Sequence, residues 1–149
     1  MSRMSIQASS EDRARPEFWN ERQKGRLPGE LGIEVTSVAE GRMTGRLAIE
    51  ERHLAPNGFL HAASVIALAD TLCGYGCVVA LPEGASGFTT IETKSNHLGT
   101  TRDGAISAVA TLVHGGRMTQ VWDAVVSDEA NGKTIAIFRC TQMVLYPKS

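Results

Sequence analysis

The sequence predicts an α+β domain in which one long helix is enclosed by a strongly curved antiparallel sheet. Three observations carry that prediction. The stretch His61–Ala80 is small and apolar on every helical face, with Asp70 its only residue charged at neutral pH, and a helix without a polar face must be covered all round. Alternating apolar and polar runs joined by short glycine turns stand on both sides of it, which is the period-two pattern of strands. The resulting order of short helix, two strands, long helix and four strands leaves one sheet to wrap one helix. A membrane span is the weaker reading of His61–Ala80. Asp70 would sit mid-bilayer at a cost of roughly 2.5–3.5 kcal/mol or more, and Gly74, Gly76 and the lack of basic flanks argue against insertion.

Composition fits one globular domain. The chain has 149 residues, 42% of them apolar, and a net charge of −1, so no whole-protein field draws it to nucleic acid or to an anionic membrane. Cys73, Cys77 and Cys140 are an odd count without a CxxC pair. Cys73 and Cys77, one turn apart, read as small core residues, which predicts a reducing cytoplasm and neither disulfide nor metal site. Residues 1–15 are polar and lack the apolar region of a signal peptide. They read as a loose tail, and residues 16–149 as a single domain.

The elements follow in order. Pro16 suits the first turn of a short helix through Arg22, stopped near Gly25. Leu31, Ile33, Val35 and Val38 mark one strand; Glu40-Gly41 turns the chain, and Met43, Gly45, Leu47 and Ile49 mark the next, completing a hairpin. A polar loop from Glu50 to Asn57 leads into the long helix, and Pro82–Gly87 leaves it. Phe88–Leu98, Ala105–His114, Met118–Ser127 and Thr134–Leu145 are the last four strands, with turns at Asp103-Gly104, Gly115-Gly116 and Asn131-Gly132. One sheet cannot close fully round the helix, so a second copy of the subunit is expected on the uncovered face.

Three motifs in this order also carry a resemblance: Asn57-Gly-Phe-Leu-His61-Ala-Ala-Ser-Val-Ile-Ala-Leu-Ala-Asp70-Thr, then Ser95-Asn96-His97, then Gly116-Arg117-Met-Thr-Gln-Val-Trp-Asp123. They resemble the hotdog-fold acyl-CoA thioesterases, in particular the 4-hydroxybenzoyl-CoA and phenylacetyl-CoA (PaaI-like) branch, from about Leu31 to the C-terminus. The resemblance implies hydrolysis of an acyl-CoA thioester, no metal or organic cofactor, and a homodimer with shared active sites, assembled as a dimer of dimers.

Thioester hydrolysis needs an attacking water or carboxylate and donors for the developing oxyanion. Asp70 supplies the first role, as general base or as nucleophile forming a mixed anhydride. The first-turn N–H groups of the long helix supply the second, and by the resemblance the donor is Ala62 N–H. His61 sets the loop-to-helix turn and lines the site. Where the family has His-Gly-Gly this chain has His61-Ala62-Ala63. The family's Gln or Asn six residues before the histidine is Ala55 here, with Asn57 as its substitute, and the Thr one turn after the carboxylate is Gly74. Cys73, Tyr75 and the methionines read as core. For the CoA phosphates and pantetheine the resemblance points to the Gly115–Thr119 turn, with Arg117, Met118 and Thr119, and to Arg102 from the neighbouring loop. The alternatives are a hydratase or dehydratase, which would recruit His53 or His61, and a non-catalytic acyl-CoA-binding protein. Asp70 lies eight residues beyond Ala62, about 12 Å along one helix axis, so a base and a donor acting on one carbonyl must come from different chains.

Overall fold

The computed structural model describes residues 8–148. Six antiparallel strands form one sheet: β1 (Ile33–Ala39), β2 (Arg42–Ala48), β3 (Gly87–His97), β4 (Ala105–Gly115), β5 (Thr119–Asp128) and β6 (Thr134–Leu145). Their order across the sheet is β1-β2-β4-β5-β6-β3. The chain therefore leaves β2, runs through the long helix and returns as an edge strand at the far side. That helix, α4 (Ala62–Val79), lies against the inner face of the sheet, and this is the hotdog arrangement. It is long and apolar enough to cross a membrane by length and composition, yet 56% of it is buried inside this fold.

Alternation in each strand puts the core on one face. Met43, Leu47, Ile106, Ala108, Ala110, Trp122, Ala124, Val126, Phe138 and Cys140 point inward and meet Val65, Leu68, Leu72, Cys73 and Cys77 of α4. Two glycines set how closely the layers approach. A Cβ on Gly76 would stand 2.6 Å from Trp122 Cη2, and one on Gly45 would stand 2.8 Å from both Leu72 Cδ2 and the Glu34 carbonyl. The helix end is tied to the sheet through Gln120, whose Nε2 donates to the Ala80 carbonyl at 3.1 Å while its Oε1 accepts from Trp122 Nε1 at 2.7 Å.

Several expectations need correction. Of the loose tail expected over residues 1–15, residues 1–7 lie outside the described residues. Ser10–Arg13 form a helical turn, α1, because Ser9 caps it through its side chain and the Arg13 carbonyl accepts from Trp19 Nε1. The helix expected at Pro16–Arg22 is present as α2. Leu31 is not in a strand: it ends a further short helix, α3 (Leu27–Leu31), where Gly32 adopts φ +86° and stops the turn, so β1 begins at Ile33. Met43 is core, but Met118 and Met143 are 56% and 41% exposed. As expected of a single sheet, one face of α4 is left uncovered. Ala62, Ala63, Ile66, Ala67, Asp70, Thr71 and Gly74 form a stripe exposed or half-exposed in the single chain, because a sheet of six strands reaches only part of the way round.

Candidate active site

The approach to α4 is held by a buried histidine. His53, in a 3-10 turn at Glu51–His53, accepts from the Glu50 N–H through Nδ1 at 2.9 Å. Its Nε2 meets the Leu31 carbonyl at 2.7 Å, so the ring is neutral with its proton on Nε2. The His53 carbonyl in turn accepts from His61 N–H at 3.0 Å and from Ser64 Oγ at 2.9 Å. Both ends of the loop are thereby fixed before the helix starts.

His61 is the helix N-cap: its Nδ1 accepts from Ala63 N–H at 2.9 Å, and its carbonyl accepts from Ser64 N–H at 2.9 Å. Three of the first four amides are thus engaged, with Val65 N–H also on the His61 carbonyl. Among the described residues Ala62 N–H alone of these has no partner, and it stands at the positive end of an 18-residue helix. Ala62 shares a cleft of about 250 Å³ with Asn57, Phe59, His97 and Thr100. Asn57 keeps its place by accepting from Phe59 N–H at 3.1 Å, which leaves its side-chain NH₂ as a donor. The turn there needs Gly58, at φ +86°. Arg102 does not line the cleft, but its guanidinium lies over the ring of Phe59, which does, at 4.2 Å.

Asp70 does not line this cleft. It sits on the half-exposed stripe of α4, its Oδ1 is buried without a hydrogen-bond partner, and burial raises its pKa above the ordinary carboxylate value. Arg117, Met118 and Thr119 occupy the β4–β5 turn, closed by Gly116 N–H donating to the Thr119 carbonyl at 2.8 Å. The Arg117 guanidinium lies 5.9 Å from the Tyr146 ring centroid, and Tyr146 Oη donates to the Arg117 carbonyl. Within one chain the residues expected to act together therefore form three groups: the cleft with Ala62 and Asn57 and with Arg102 over its Phe59, the carboxylate on α4, and the β4–β5 turn. His97, quoted in a motif but given no role from the sequence, belongs to the first group. Gly74, one turn beyond Asp70, is faced by Phe88, whose Cζ would stand 3.2 Å from a Cβ there. Among the described residues no cluster of three or more His, Cys, Asp or Glu has the arrangement of a metal site.

Residues 57–135, which hold the cleft, Asp70 and the β4–β5 turn, match the family model of the thioesterase superfamily. The chain belongs to that superfamily. A 1,4-dihydroxy-2-naphthoyl-CoA hydrolase from Listeria monocytogenes is 32% identical over 111 residues, 74% of this chain and 89% of the relative. A crystal structure of a variant of thioesterase PA1618 from Pseudomonas aeruginosa superposes with a TM-score of 0.83 at 30% identity, covering 88% of this chain and 94% of that one. The PaaI protein of Escherichia coli shares the fold with a TM-score of 0.76 at 21% identity, over 93% and 96% of the two chains. This thioesterase is accordingly an enzyme of the thioester-hydrolase class with a PaaI-like hotdog fold.

Proposed function

We propose that this thioesterase hydrolyses the thioester of an aromatic or other small acyl-CoA to the free acid and CoA. The observation that carries the reading is the one uncommitted first-turn amide, Ala62 N–H, opening onto a cleft, in a chain that also holds an unpartnered carboxylate on the same helix. As general base, Asp70 takes a proton from water while the water oxygen bonds to the thioester carbon. The carbonyl oxygen becomes an oxyanion held by Ala62 N–H, with Asn57 as a second donor. Collapse breaks the C–S bond, and the leaving CoA thiolate takes the proton. As nucleophile, the carboxylate itself displaces the thiolate, and water then hydrolyses the mixed anhydride. Neither route calls on a metal or an organic cofactor.

The separation of Asp70 from the cleft favours a site shared between two subunits with antiparallel α4 helices. The exposed stripe of α4 and the solvent-facing edge strand β3 are the surfaces such a two-fold pair would use, with a dimer of dimers as the full assembly. Arg117, Met118 and Thr119 would then receive CoA, with Arg102 over Phe59. His61 acts as a structural cap lining the site. The three buried free cysteines suit a reducing cytoplasm. Recruitment of His53 or His61 for hydratase chemistry is less well supported, because both ring nitrogens of His53 are engaged and His61 Nδ1 is committed to the cap.

The test is thiol release from benzoyl-, phenylacetyl-, short-chain and long-chain acyl-CoA, with an enoyl-CoA monitored for hydration. Release from at least one saturated or aromatic ester is expected. Hydration without release would establish the hydratase, and silence across the panel a non-catalytic acyl-CoA-binding protein.

A further inference from the structure

Among the described residues, two of the buried side-chain atoms that lack a partner are chemically complementary: Asp70 Oδ1 and Ser95 Oγ. An ionised carboxylate only accepts, whereas a hydroxyl has a proton to donate. In the single chain the two do not meet. Ser95 stands on β3 opposite Phe138 of β6, and Phe138 is buried in the core, so Ser95 shares the inward face of the sheet. Thr90 and Thr93 share that face, but both are exposed and have water for their hydroxyls. Ser95 is half-buried, and its Oγ is out of reach of solvent. An unpaired hydroxyl there carries a desolvation cost that an alanine would avoid.

The strand sets this donor beside the cleft. His97, the next inward residue of β3, lines the cleft with Ala62, and successive inward positions on a strand stand about 7 Å apart. Ser95 is therefore one strand step from the amide proposed to hold the reacting carbonyl. Asp70 of the same chain does not line that cleft. In the two-fold pair with antiparallel α4 helices, the carboxylate that reaches it is Asp70 of the partner subunit. An orphaned acceptor then arrives at an orphaned donor, and the two-fold axis repeats the match at the second site.

We infer that Ser95 is a positioning residue for the hydrolysis: its hydroxyl donates to the carboxylate of Asp70 of the partner subunit, holding one oxygen and leaving the other free for the chemistry. A hydrogen bond to the charged form of a carboxylate favours that form, so the base is available at lower pH than an unpaired one. The other titratable groups near Asp70 are Cys73 and Tyr75 on α4, both pushed up chiefly by a thiol neighbour or by burial, Cys140 of β6, His97 of β3 and His61 at the helix start. Glu92 and Lys94 of β3 pair with Thr141 and Arg139 on the outer face, and β1, β2, β4 and β5 turn uncharged residues toward α4. None of these groups changes when Ser95 alone is replaced, so a displaced pH profile reports the hydroxyl.

The inference rests on the shared-site thioesterase reading, and the experiment separates the two. Thiol release from the acyl-CoA cleaved fastest by wild type is followed against pH for the full chain. Ser95→Ala should move the acid limb of kcat/KM up by about one to two pH units, the scale of one hydrogen bond to a charged group. Ser95→Thr keeps the hydroxyl and should restore the limb. A merely structural serine would lower the rate equally at every pH and leave the limb in place. A heterodimer purified through two tags, with Ser95→Ala in one subunit and Asp70→Asn in the other, then shows which chain the hydroxyl serves. Its one live site combines an intact Asp70 with the intact Ser95 of the opposite chain, so its limb should coincide with that of wild type. A limb unmoved in Ser95→Ala, no restoration by Ser95→Thr, loss of the folded state in Ser95→Ala, or a heterodimer that is inactive or carries the displaced limb each overturns the inference while leaving the thioesterase reading intact. No thiol release by wild type from any ester overturns that reading, and the inference with it.

Discussion

A carboxylate that is half-buried and unpaired holds its proton to higher pH than one in water, and Asp70 is in that position. Two consequences follow from the same shift. Activity that needs the ionised form should rise with pH through the raised pKa, above the ordinary carboxylate range. Because the folded state binds that proton more tightly than the unfolded chain, the stabilising contribution is present below the ordinary pKa and is lost as pH rises through the raised one. Asp70→Asn should therefore lose about 100-fold or more in kcat and, at neutral pH, melt at a higher temperature than wild type. Near-normal turnover by this variant would make Asp70 structural. His53, unlike Asp70, has its polar atoms paired: both of its nitrogens are satisfied at a fully buried site. His53→Leu orphans the Leu31 carbonyl and the Glu50 N–H, and we expect a loss of about 2–4 kcal/mol in urea unfolding.

Among the elements, the two helical glycines make a matched pair for experiment. Gly76→Ala drives a methyl into the Trp122 ring at 2.6 Å and should cost about 1–3 kcal/mol. Gly74→Ala meets only the tip of Phe88 at 3.2 Å, and the helix-propensity gain of about 0.5–1 kcal/mol should leave it near neutral. Equal losses at the two sites in thermal unfolding would contradict this packing. The strands were legible because alternation and glycine turns are local signals: Thr134–Leu145 is found at the expected bounds, and the other three late strands begin and end within a residue of expectation. The short α3 was not legible, because Leu31 continues the alternation of Ile33 and Val35 and so reads as strand, and five residues are too few to show a helical period. That α4 would keep an uncovered face was legible, but which of its residues form that face was not. Apolarity on every face says that cover is needed, not whether a sheet or another chain provides it. His97 escaped a role because a histidine ending a strand announces nothing until the fold brings it beside Ala62.

At the scale of the whole molecule, the proposed division of the site between two chains gives a prediction that a single-chain site cannot satisfy. Asp70→Asn removes the base, and Ala62→Pro removes the donor N–H at a helix-start position that tolerates proline. Each should be inactive alone. Co-refolded in equal amounts they should yield about one-half heterodimers, each with one intact site, and roughly a quarter of wild-type activity. No recovery despite demonstrated exchange would return base and donor to the same chain. Arg117→Ala, remote from the carbonyl, should raise KM for CoA esters and flatten its salt dependence with little change in kcat, since a phosphate contact contributes uniform binding; a KM unchanged across ionic strengths would remove Arg117 from CoA binding. The two tryptophans have a further use. Trp19, 2% exposed and stacked on Tyr75 at 4.5 Å, joins the N-terminal helices to α4, whereas Trp122 lies in the sheet core. A Trp19→Phe chain would emit from the sheet core alone and a Trp122→Phe chain from the N-terminal contact alone, so detachment of the N-terminal helices becomes optically separable from loss of the packing between α4 and the sheet.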